Sequence, residues 1–228
     1  ADKYTFTREA QDAFALESYK RAQGAMEAGD FEAELAAVSV PQRKGDPIVV
    51  DKDEEPFGAP LDKMGKLRPA FDKNGTVTAA NASKINDGAA AMVLMSADEA
   101  AAQGLKPLAK IVSYASHAHE PDWFTTAPVD AAKKALDKAG LKASDIDLWE
   151  INEAFAVVTM ASVKDLELDE SKVNVRGGAV ALGHPIGCSG ARILTTLLHA
   201  LKAKGGKYGC ASICIGGGEA AAMVVEAL

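Results

Sequence analysis

The chain has 228 residues, of which 48% are hydrophobic and 25% charged, and its formal net charge at pH 7 is −7. This composition is typical of a globular protein with a sizeable core and excludes a collagenous or disordered chain. The acidic balance and the absence of Lys/Arg runs longer than two residues argue against a nucleic-acid partner and a membrane-binding patch, and no apolar stretch is long enough to span a bilayer.

The cysteines and the first residues of the chain indicate the cellular compartment of the protein. The three cysteines are Cys188, Cys210 and Cys214, and the first residues, ADKYTFTREAQDAF, show neither an apolar signal sequence nor an Arg-rich transit pattern. Cys210 and Cys214 lie on one predicted strand and are separated by about 13 Å along it, which is too far for a disulfide. We expect a reducing, cytoplasmic location, with an organellar one left open. The start of the sequence is typical of the interior of a longer protein.

The first part of the chain predicts one long helix followed by looser structure. The helix lies in FTREAQDAFALESYKRAQGAMEAGDF, with Thr7 as its N-cap. ELAAVSV and DPIVV are predicted as strands around a turn, and residues 51–75 as a long surface segment. NASKINDG predicts a turn followed by a short buried helix, and Ser96 with Glu99 predicts a capping box.

Strands and helices alternate from about residue 107 onward, which predicts a layered α/β domain. The helix in APVDAAKKALDKAG has Pro128 in its first turn and Gly140 at its end. The other predicted helices lie in NEAFAVVTMASVKDL and GARILTTLLHALKAKG, and the predicted strands are PLAKIVSYAS, DIDLWEI, KVNV, YGCASICI and AAAMVVEAL.

Asn152 and Glu153, in the stretch NEAFA, follow a predicted strand and open a predicted helix. Helix capping explains both residues simply, because Asn is a favoured N-cap and Glu suits the first turn. Ligands bind at the carboxyl ends of strands in α/β sheets, so a functional role stays open.

The stretch GHPIGCSG, residues 183–190, places His184 and Cys188 on a predicted glycine-rich loop. A hydrogen-bonded histidine in a connecting loop would need no function. Glycines let the backbone approach a ligand closely, however, and a histidine on a loop is available for polar chemistry, so we favour a functional His184. Cys188 could be a low-pKa nucleophile at a helix start, but a small packing residue is the favoured interpretation.

Cys214 ends an apolar strand in the stretch CIGGG. A buried structural cysteine is the default interpretation. The glycines would also leave N–H groups exposed beside the sulfur, as an oxyanion-binding site requires. The spacing leaves both interpretations open.

No metal site is predicted. His117 and His119, taken with His184 and Cys188, lack the spacing of a four-ligand zinc site. The sequence also lacks a Walker A motif, a dinucleotide-binding G-x-G-x-x-G and a G-x-S-x-G elbow.

Taken together and in this order, NEAFA, GGAVALGHPIGCSGAR and CIGGG resemble the thiolase family, as do KLRPAF, GTVTAANAS and NDGAAA upstream. HEPDWFTTAPVDAA is most similar to the family's acetyl-CoA acetyltransferases. The resemblance implies an α/β, layered αβαβα fold, of which this chain holds part. Residues 1–85 would be the remainder of a loop domain, 86–106 the end of the N-terminal core half and 107–228 the C-terminal thiolase domain.

The resemblance implies an acyltransferase of fatty acid metabolism. It would condense two acetyl-CoA into acetoacetyl-CoA and CoA, and catalyse the reverse thiolysis, without a cofactor beyond these substrates. His184, with a water held by Asn152, would bind the thioester oxygen of the acyl group being enolised. Cys214 would be the acid/base, a role that suits a thiol with an ordinary pKa of about 8.5. The N–H of Gly216 would help to bind the acyl-enzyme oxygen.

The resemblance further places Ala79 and Ser83 on the CoA path and Ala154 and Phe155 around the acyl group, and it implies a homo-oligomer. The nucleophilic cysteine of the family lies in an N-terminal region that precedes Ala1. We therefore expect this chain alone to be inactive and to require the missing N-terminal thiolase segment. One alternative is a non-catalytic thiolase-like subunit that supports a partner chain. A less favoured one is a sterol-carrier-like or ketoacyl synthase relative; the synthases use two histidines and lack the terminal cysteine.

Overall fold

The computed structural model describes all residues, 1–228. Short 3-10 helices cover Asp2–Tyr4, Leu61–Lys66, Pro121–Thr126, Ala143–Asp145 and Glu170–Lys172. The α-helices are α1 (Arg8–Glu27), α2 (Glu55–Gly58), α3 (Ala97–Ala102), α4 (Ala127–Ala139), α5 (Ala156–Asp165), α6 (Ala179–Leu182) and α7 (Ser189–Lys204). The strands are β1 (Val38–Val40), β2 (Ile48–Val50), β3 (Ala109–Ala118), β4 (Leu148–Ile151), β5 (Tyr208–Ile215) and β6 (Glu219–Ala227).

A four-stranded mixed sheet in the order β3-β6-β5-β4 forms the centre of the second half of the chain. Strands β5 and β6 are an antiparallel hairpin, β3 is antiparallel to β6, and β4 is parallel to β5. Successive side chains of a strand point to opposite faces of the sheet. Cys210 and Val224 accordingly pack on the α4 side, whereas Ala211 and Val225 pack on the α7 side. One helix therefore covers each face, and the predicted α/β layering after residue 107 is confirmed.

Helix α1 forms a third core region with α6. Its N-cap is Thr7, as predicted, whose hydroxyl accepts a hydrogen bond from the N–H of Ala10 at 3.2 Å. The buried side chains of Ala15 and Tyr19 belong to the same apolar cluster as Val180 of α6. This packing fixes the segment that leads into the glycine-rich loop after α6.

Several predicted helix ends are confirmed by the backbone. Helix α4 ends at Gly140 with φ 67°, and α7 ends at Gly205, also with φ 67°. These are left-handed conformations, which glycine adopts without steric cost. The hydroxyl of Ser96 accepts the N–H of Glu99 at 3.1 Å, so α3 has its N-cap, but the predicted capping box is only half formed: the Glu99 carboxylate accepts from the amide of Gln103 instead of the N–H of Ser96.

One predicted helix begins later than expected, and two predicted elements are wrong. Helix α5 begins at Ala156 rather than Asn152, because residues 152–155 pair with a distant loop: the N–H of Ala156 donates to the carbonyl of Asn81 at 2.8 Å. KVNV forms only a single-residue bridge to β4, at Val173. No helix follows NASKINDG, since residues 84–95 are irregular and Ile85 is fully exposed.

The predicted strands near residue 40 are present but small. β1 and β2 form a three-residue antiparallel pair in which every residue is exposed. None of the helices combines the length and the apolar character that crossing a membrane would require.

Candidate active site

Asn152 and His184 lie side by side at the carboxyl end of β4. The backbone N–H of Asn152 donates to the carbonyl of Ser212 at 2.9 Å, which continues the β4–β5 ladder by one residue. The side chain of Asn152 is 1% exposed, and its Nδ2 lies 3.2 Å from Nε2 of His184. The loop after α6 is held there in part because the N–H of His184 donates to the carbonyl of Lys84 at 3.0 Å.

The other ring nitrogen of His184 is held by Ser189. The hydroxyl oxygen of Ser189 lies 2.6 Å from Nδ1 and 3.0 Å from the carbonyl oxygen of Pro185. A hydroxyl has one hydrogen. When it donates to Pro185, Nδ1 of His184 carries the ring proton; when it donates to Nδ1, the proton resides on Nε2. Ser189 can therefore support either tautomer.

The surroundings of His184 favour its uncharged form. Burial and, to a smaller degree, the positive charge of Arg192 lower the pKa of His184 below its ordinary value of 6.5. A neutral imidazole donates or accepts at Nε2 according to its tautomer, so it can bind a substrate oxygen without carrying a charge.

Cys214 lies on β5, the strand that pairs with β4. It is two residues beyond Ser212 on β5, a distance of about 6.6 Å along the strand. Its buried side chain packs against Ala154 and Val158. Burial raises the pKa of Cys214 to about 11, which differs from the ordinary thiol pKa that the sequence suggested. The sulfur is therefore protonated at neutral pH.

The glycine turn beside Cys214 approaches another segment closely. Gly216 is exposed. Gly218 has φ 94°, and a Cβ there would overlap the carbonyl oxygen of His119. The turn is therefore restricted to glycine at this position by a neighbouring backbone, and this contact fixes the turn against the end of β3.

The residues predicted to contact the substrate come together in part. The N–H of Ser83 donates to the carbonyl of Ala154 at 3.0 Å, and the rings of Phe155 and Phe71 meet edge to face at 6.1 Å. Ser83 and Phe155 are partly exposed, Ala154 is buried and Ala79 is exposed. The segment 79–83 thus lies along NEAFA, beside Cys214.

Glu153, which follows β4, holds the start of α6. Its carboxylate, 1% exposed, accepts hydrogen bonds from the hydroxyl of Ser18 at 2.7 Å, the amide of Asn174 at 2.9 Å and the N–H of Val180 at 3.1 Å. A Cβ on Gly178 would overlap this carboxylate. Burial raises the pKa of Glu153, and these hydrogen bonds oppose that shift.

Sequence reasoning missed Ser18 and Asn174. Asn174 holds the end of β4, since its Oδ1 accepts from the N–H of Ile151 and its Nδ2 donates to the carbonyl of Ile151, both at 2.8 Å. Its backbone has φ 47°, which the strand predicted for KVNV does not allow. The N–H of Gly178 donates to the hydroxyl of Ser18 at 3.0 Å. No local pattern in the sequence signals either residue, because each bonds to a segment far along the chain.

Two models of one protein family together match nearly the whole chain. Residues 105–227 match the family described as "Thiolase, C-terminal domain", and residues 1–98 match "Thiolase, N-terminal domain". The chain belongs to the thiolase family. The resemblance stated from the three motifs is thereby confirmed.

Similar thiolases are named for acetyl transfer. An acetyl-CoA acetyltransferase of Thiocystis violacea is 52% identical over 229 residues, covering 100% of this chain and 58% of that protein. A probable acetyl-CoA acetyltransferase of Dictyostelium discoideum is 54% identical over 228 residues, covering 100% of this chain and 55% of that protein. The chain therefore spans less than two thirds of the length of these relatives.

Solved thiolase structures confirm the α/β, thiolase-like fold. The acetyl-CoA acetyltransferase of Bacillus anthracis superposes with a TM-score of 0.96 at 46% identity. The Acat5 thiolase of Ascaris suum, in complex with coenzyme A, gives a TM-score of 0.94 at 51% identity. Each comparison covers 100% of this chain and 58% of the other.

The remaining cysteines of this thiolase-family chain are unsuited to nucleophilic attack. Cys188 is 8% exposed at the start of α7, and burial raises its pKa. Cys210 is fully buried under α4, and burial raises its pKa to about 12. A reactive cysteine needs access and a lowered pKa. Both residues therefore fit packing roles.

Proposed function

We propose that this chain supplies the acid/base cysteine and the oxyanion-binding pair of a thiolase. The reaction is the condensation of two acetyl-CoA into acetoacetyl-CoA and CoA, and its reversal by thiolysis. The observation that carries the proposal is the Asn152–His184 pair at 3.2 Å, at the strand end beside Cys214. The names of the relatives and the coenzyme A complex of the Ascaris suum thiolase support acetyl-CoA and CoA as the substrates.

The nucleophile belongs to a part of the protein outside this chain. Of the three cysteines here, Cys188 and Cys210 are buried with raised pKa values, and Cys214 is assigned to proton transfer. The relatives are longer than this chain, which covers 58% of the Thiocystis violacea protein. A segment bearing the acyl-accepting cysteine completes the site.

Cys214 moves protons in both half-reactions. Its raised pKa keeps the thiol protonated at rest, so it has a proton to give to the departing CoA thiolate when the acyl-enzyme forms. The resulting Cys214 thiolate then removes a proton from the methyl group of the second acetyl-CoA. The same shift that stabilises the thiol makes its thiolate a stronger base for this step.

His184 and Asn152 stabilise the enolate. Removal of the methyl proton places negative charge on the thioester oxygen. A hydrogen on Nε2 of His184 binds that oxygen, and in this tautomer the amide of Asn152 turns its Nδ2 away from the ring, since two N–H donors cannot bond to each other. The Ser189 hydroxyl turns to Nδ1 to support this tautomer. Asn152 holds a water as the second donor. Donors that are fixed before the charge develops contribute about 10²–10³ in rate each.

The neighbouring residues shape the substrate path. Ala79 and Ser83 contact the pantetheine arm, Ala154 and Phe155 border the acyl group, and the N–H of Gly216 helps to bind the acyl-enzyme oxygen. The contact between Ser83 and Ala154 supports one continuous wall along this path.

Complementation tests the proposed function. The purified 228-residue chain is assayed for acetoacetyl-CoA cleavage, alone and after the N-terminal thiolase segment is added. We expect no turnover from the chain alone and turnover from the pair. Turnover by the chain alone would place the nucleophile here. A completed protein that folds but does not turn over would favour the non-catalytic subunit.

A further inference from the structure

Two histidines and a carboxylate converge away from the candidate active site. His117 lies at the end of β3, His119 just beyond it, and Asp130 in the first turn of α4. One ligand atom from each lies within 4.8 Å of the other two. Asp130 lies more than ten positions beyond the two histidines in the sequence and joins them only because α4 packs on the sheet.

The tautomer of His119 suits metal binding. Its Nε2 lies 2.7 Å from the carbonyl oxygen of Trp123. A carbonyl only accepts hydrogen bonds, so Nε2 carries the ring proton and Nδ1 keeps its lone pair. Metal-binding histidines usually donate their second ring nitrogen to a carbonyl or carboxylate in this way, which fixes the ring orientation.

His117 and Asp130 are spaced as two ligands of one ion. Nε2 of His117 lies 3.3 Å from Oδ2 of Asp130. Ligands of a tetrahedral zinc ion with bonds of about 2.05 Å are separated by about 3.4 Å. The rings of His117 and His119 have centroids 5.1 Å apart and planes at 88°, so the two imidazoles do not stack and both can face one point. Nδ1 of His117, the ring nitrogen that would not bind the ion, is buried without a hydrogen-bond partner, so His119 is the histidine whose orientation is fixed.

We propose that His117, His119 and Asp130 bind a divalent transition-metal ion, and that Zn²⁺ fits this ligand set. Imidazole and carboxylate suit Zn²⁺, and three protein ligands leave a fourth position for water. His119 and Asp130 also line a surface groove of about 500 Å³, so the ion is reachable from solvent. The backbones that carry the ligands are fixed by β6 and by the packing of α4, and side-chain rotations close the remaining distance.

The site would brace the glycine turn that carries Gly216. The N–H of His119 donates to the carbonyl of Gly218 at 3.0 Å. An ion that joins His119 to Asp130 therefore ties this turn to α4. The metal site stands on its own geometry and does not depend on the proposed acyl transfer.

Titration calorimetry with Zn²⁺ on the full 228-residue chain, without a histidine tag, tests the proposal. We expect one ion per chain and an affinity at least about tenfold weaker in each of His117→Gln, His119→Gln and Asp130→Asn. His199→Gln, on α7 and outside the cluster, is the matched control and should bind like the parent chain. Circular dichroism verifies that each variant is folded, and Asp130→Asn preserves side-chain shape.

Co²⁺ as a spectroscopic probe distinguishes these ligands from the cysteines. We expect visible d–d bands of a four-coordinate ion without a thiolate charge-transfer band, lost in the same three variants. A thiolate band, binding that all three variants retain, or the absence of saturable Zn²⁺ binding would each overturn the proposal.

Discussion

Nδ2 of Asn152 lies 3.2 Å from Nε2 of His184, although 32 positions of sequence separate the two residues. The contact exists because β4 ends at one and the loop after α6 returns to the same sheet edge. Ser189 holds the far side of the imidazole at 2.6 Å. The imidazole ring is thus held at both nitrogens. Substitutions at His184 or Ser189 should therefore lower kcat and change KM little.

His184→Ala in the completed thiolase should lower kcat by about 10²–10³ and change KM little, because a bond to the enolate oxygen strengthens in the transition state. Steady-state kinetics in both directions measures this effect. His199→Ala is the control histidine. A rise in KM at constant kcat would instead make His184 a binding residue.

Ser189→Ala should lower kcat by about fivefold, since the loss of one hydrogen bond costs about 1 kcal/mol. Ser189→Thr keeps the hydroxyl and should restore most of the rate. Ser189 is a positioning residue, so KM should hold in both variants. Equal losses in the Ala and Thr variants would show that packing matters and the hydroxyl does not.

Cys214→Ala should abolish exchange of the acetyl-CoA methyl protons with D₂O in the completed thiolase, a loss of about 10²–10⁴ in rate. Exchange isolates the proton-transfer step because it forms no carbon–carbon bond. NMR follows the exchange. Cys188→Ala, another small buried truncation, is the matched control and should exchange normally. Normal exchange in Cys214→Ala would move the base elsewhere.

Glu153→Ala should lower the free energy of unfolding by about 3 kcal/mol or more, because it leaves three donors without their buried acceptor. Glu153→Gln keeps one carbonyl oxygen and should cost less. Urea unfolding of the chain measures both. Glu27→Ala, on the exposed side of α1, should change stability by less than about 0.5 kcal/mol. A similarly small effect at Glu153 would refute its role as an anchor.

Glu150 and Glu34 should each contribute a loss of stability as the pH rises from about 4.5 to 8. Burial raises the pKa of Glu150 from 4.5 to about 8 and that of Glu34 from 4.5 to about 7. In this window the folded state retains protons that the unfolded state has released, so rising pH favours unfolding by at most about 1.4 kcal/mol per pH unit and group.

Glu150→Gln should flatten this dependence, because the amide stays neutral at every pH. Urea unfolding across this pH window compares the variant with the parent chain and with Glu27→Gln. Stability of the parent chain that increases toward pH 8 would show that Arg192, 3.7 Å from Glu150, keeps the carboxylate ionised.

The sequence predicted those elements whose signals are local. The Thr7 cap, the glycine ends of α4 and α7, and the β5–β6 hairpin each follow from a few adjacent residues. The strand predicted for KVNV was wrong because Asn174 satisfies the backbone of β4 with its side chain. That preference depends on a strand some 20 residues away and leaves no local pattern.

The resemblance to the thiolase family named the candidate residues but not the contacts that hold them. It pointed to Asn152, His184 and Cys214, which the fold brings to one end of the sheet and whose catalytic roles stay predictions. The hydroxyl of Ser18, which supports Glu153 from α1, has no sequence signal because 135 positions separate them. The raised pKa of Cys214 was also beyond the sequence, since it results from burial beside Ala154 and Val158.

The contact between Ser18 and the N–H of Gly178 has a consequence for biosynthesis, because 160 positions separate its partners. A ribosome that adds about 5–20 residues per second takes about 8–32 s to cover that distance. Throughout this interval the apolar face of α1, with Ala15 and Tyr19, lacks the α6 surface that covers it in the folded chain, because α6 has not yet been synthesised. Nascent chains should therefore recruit chaperones at α1 until translation passes Leu182.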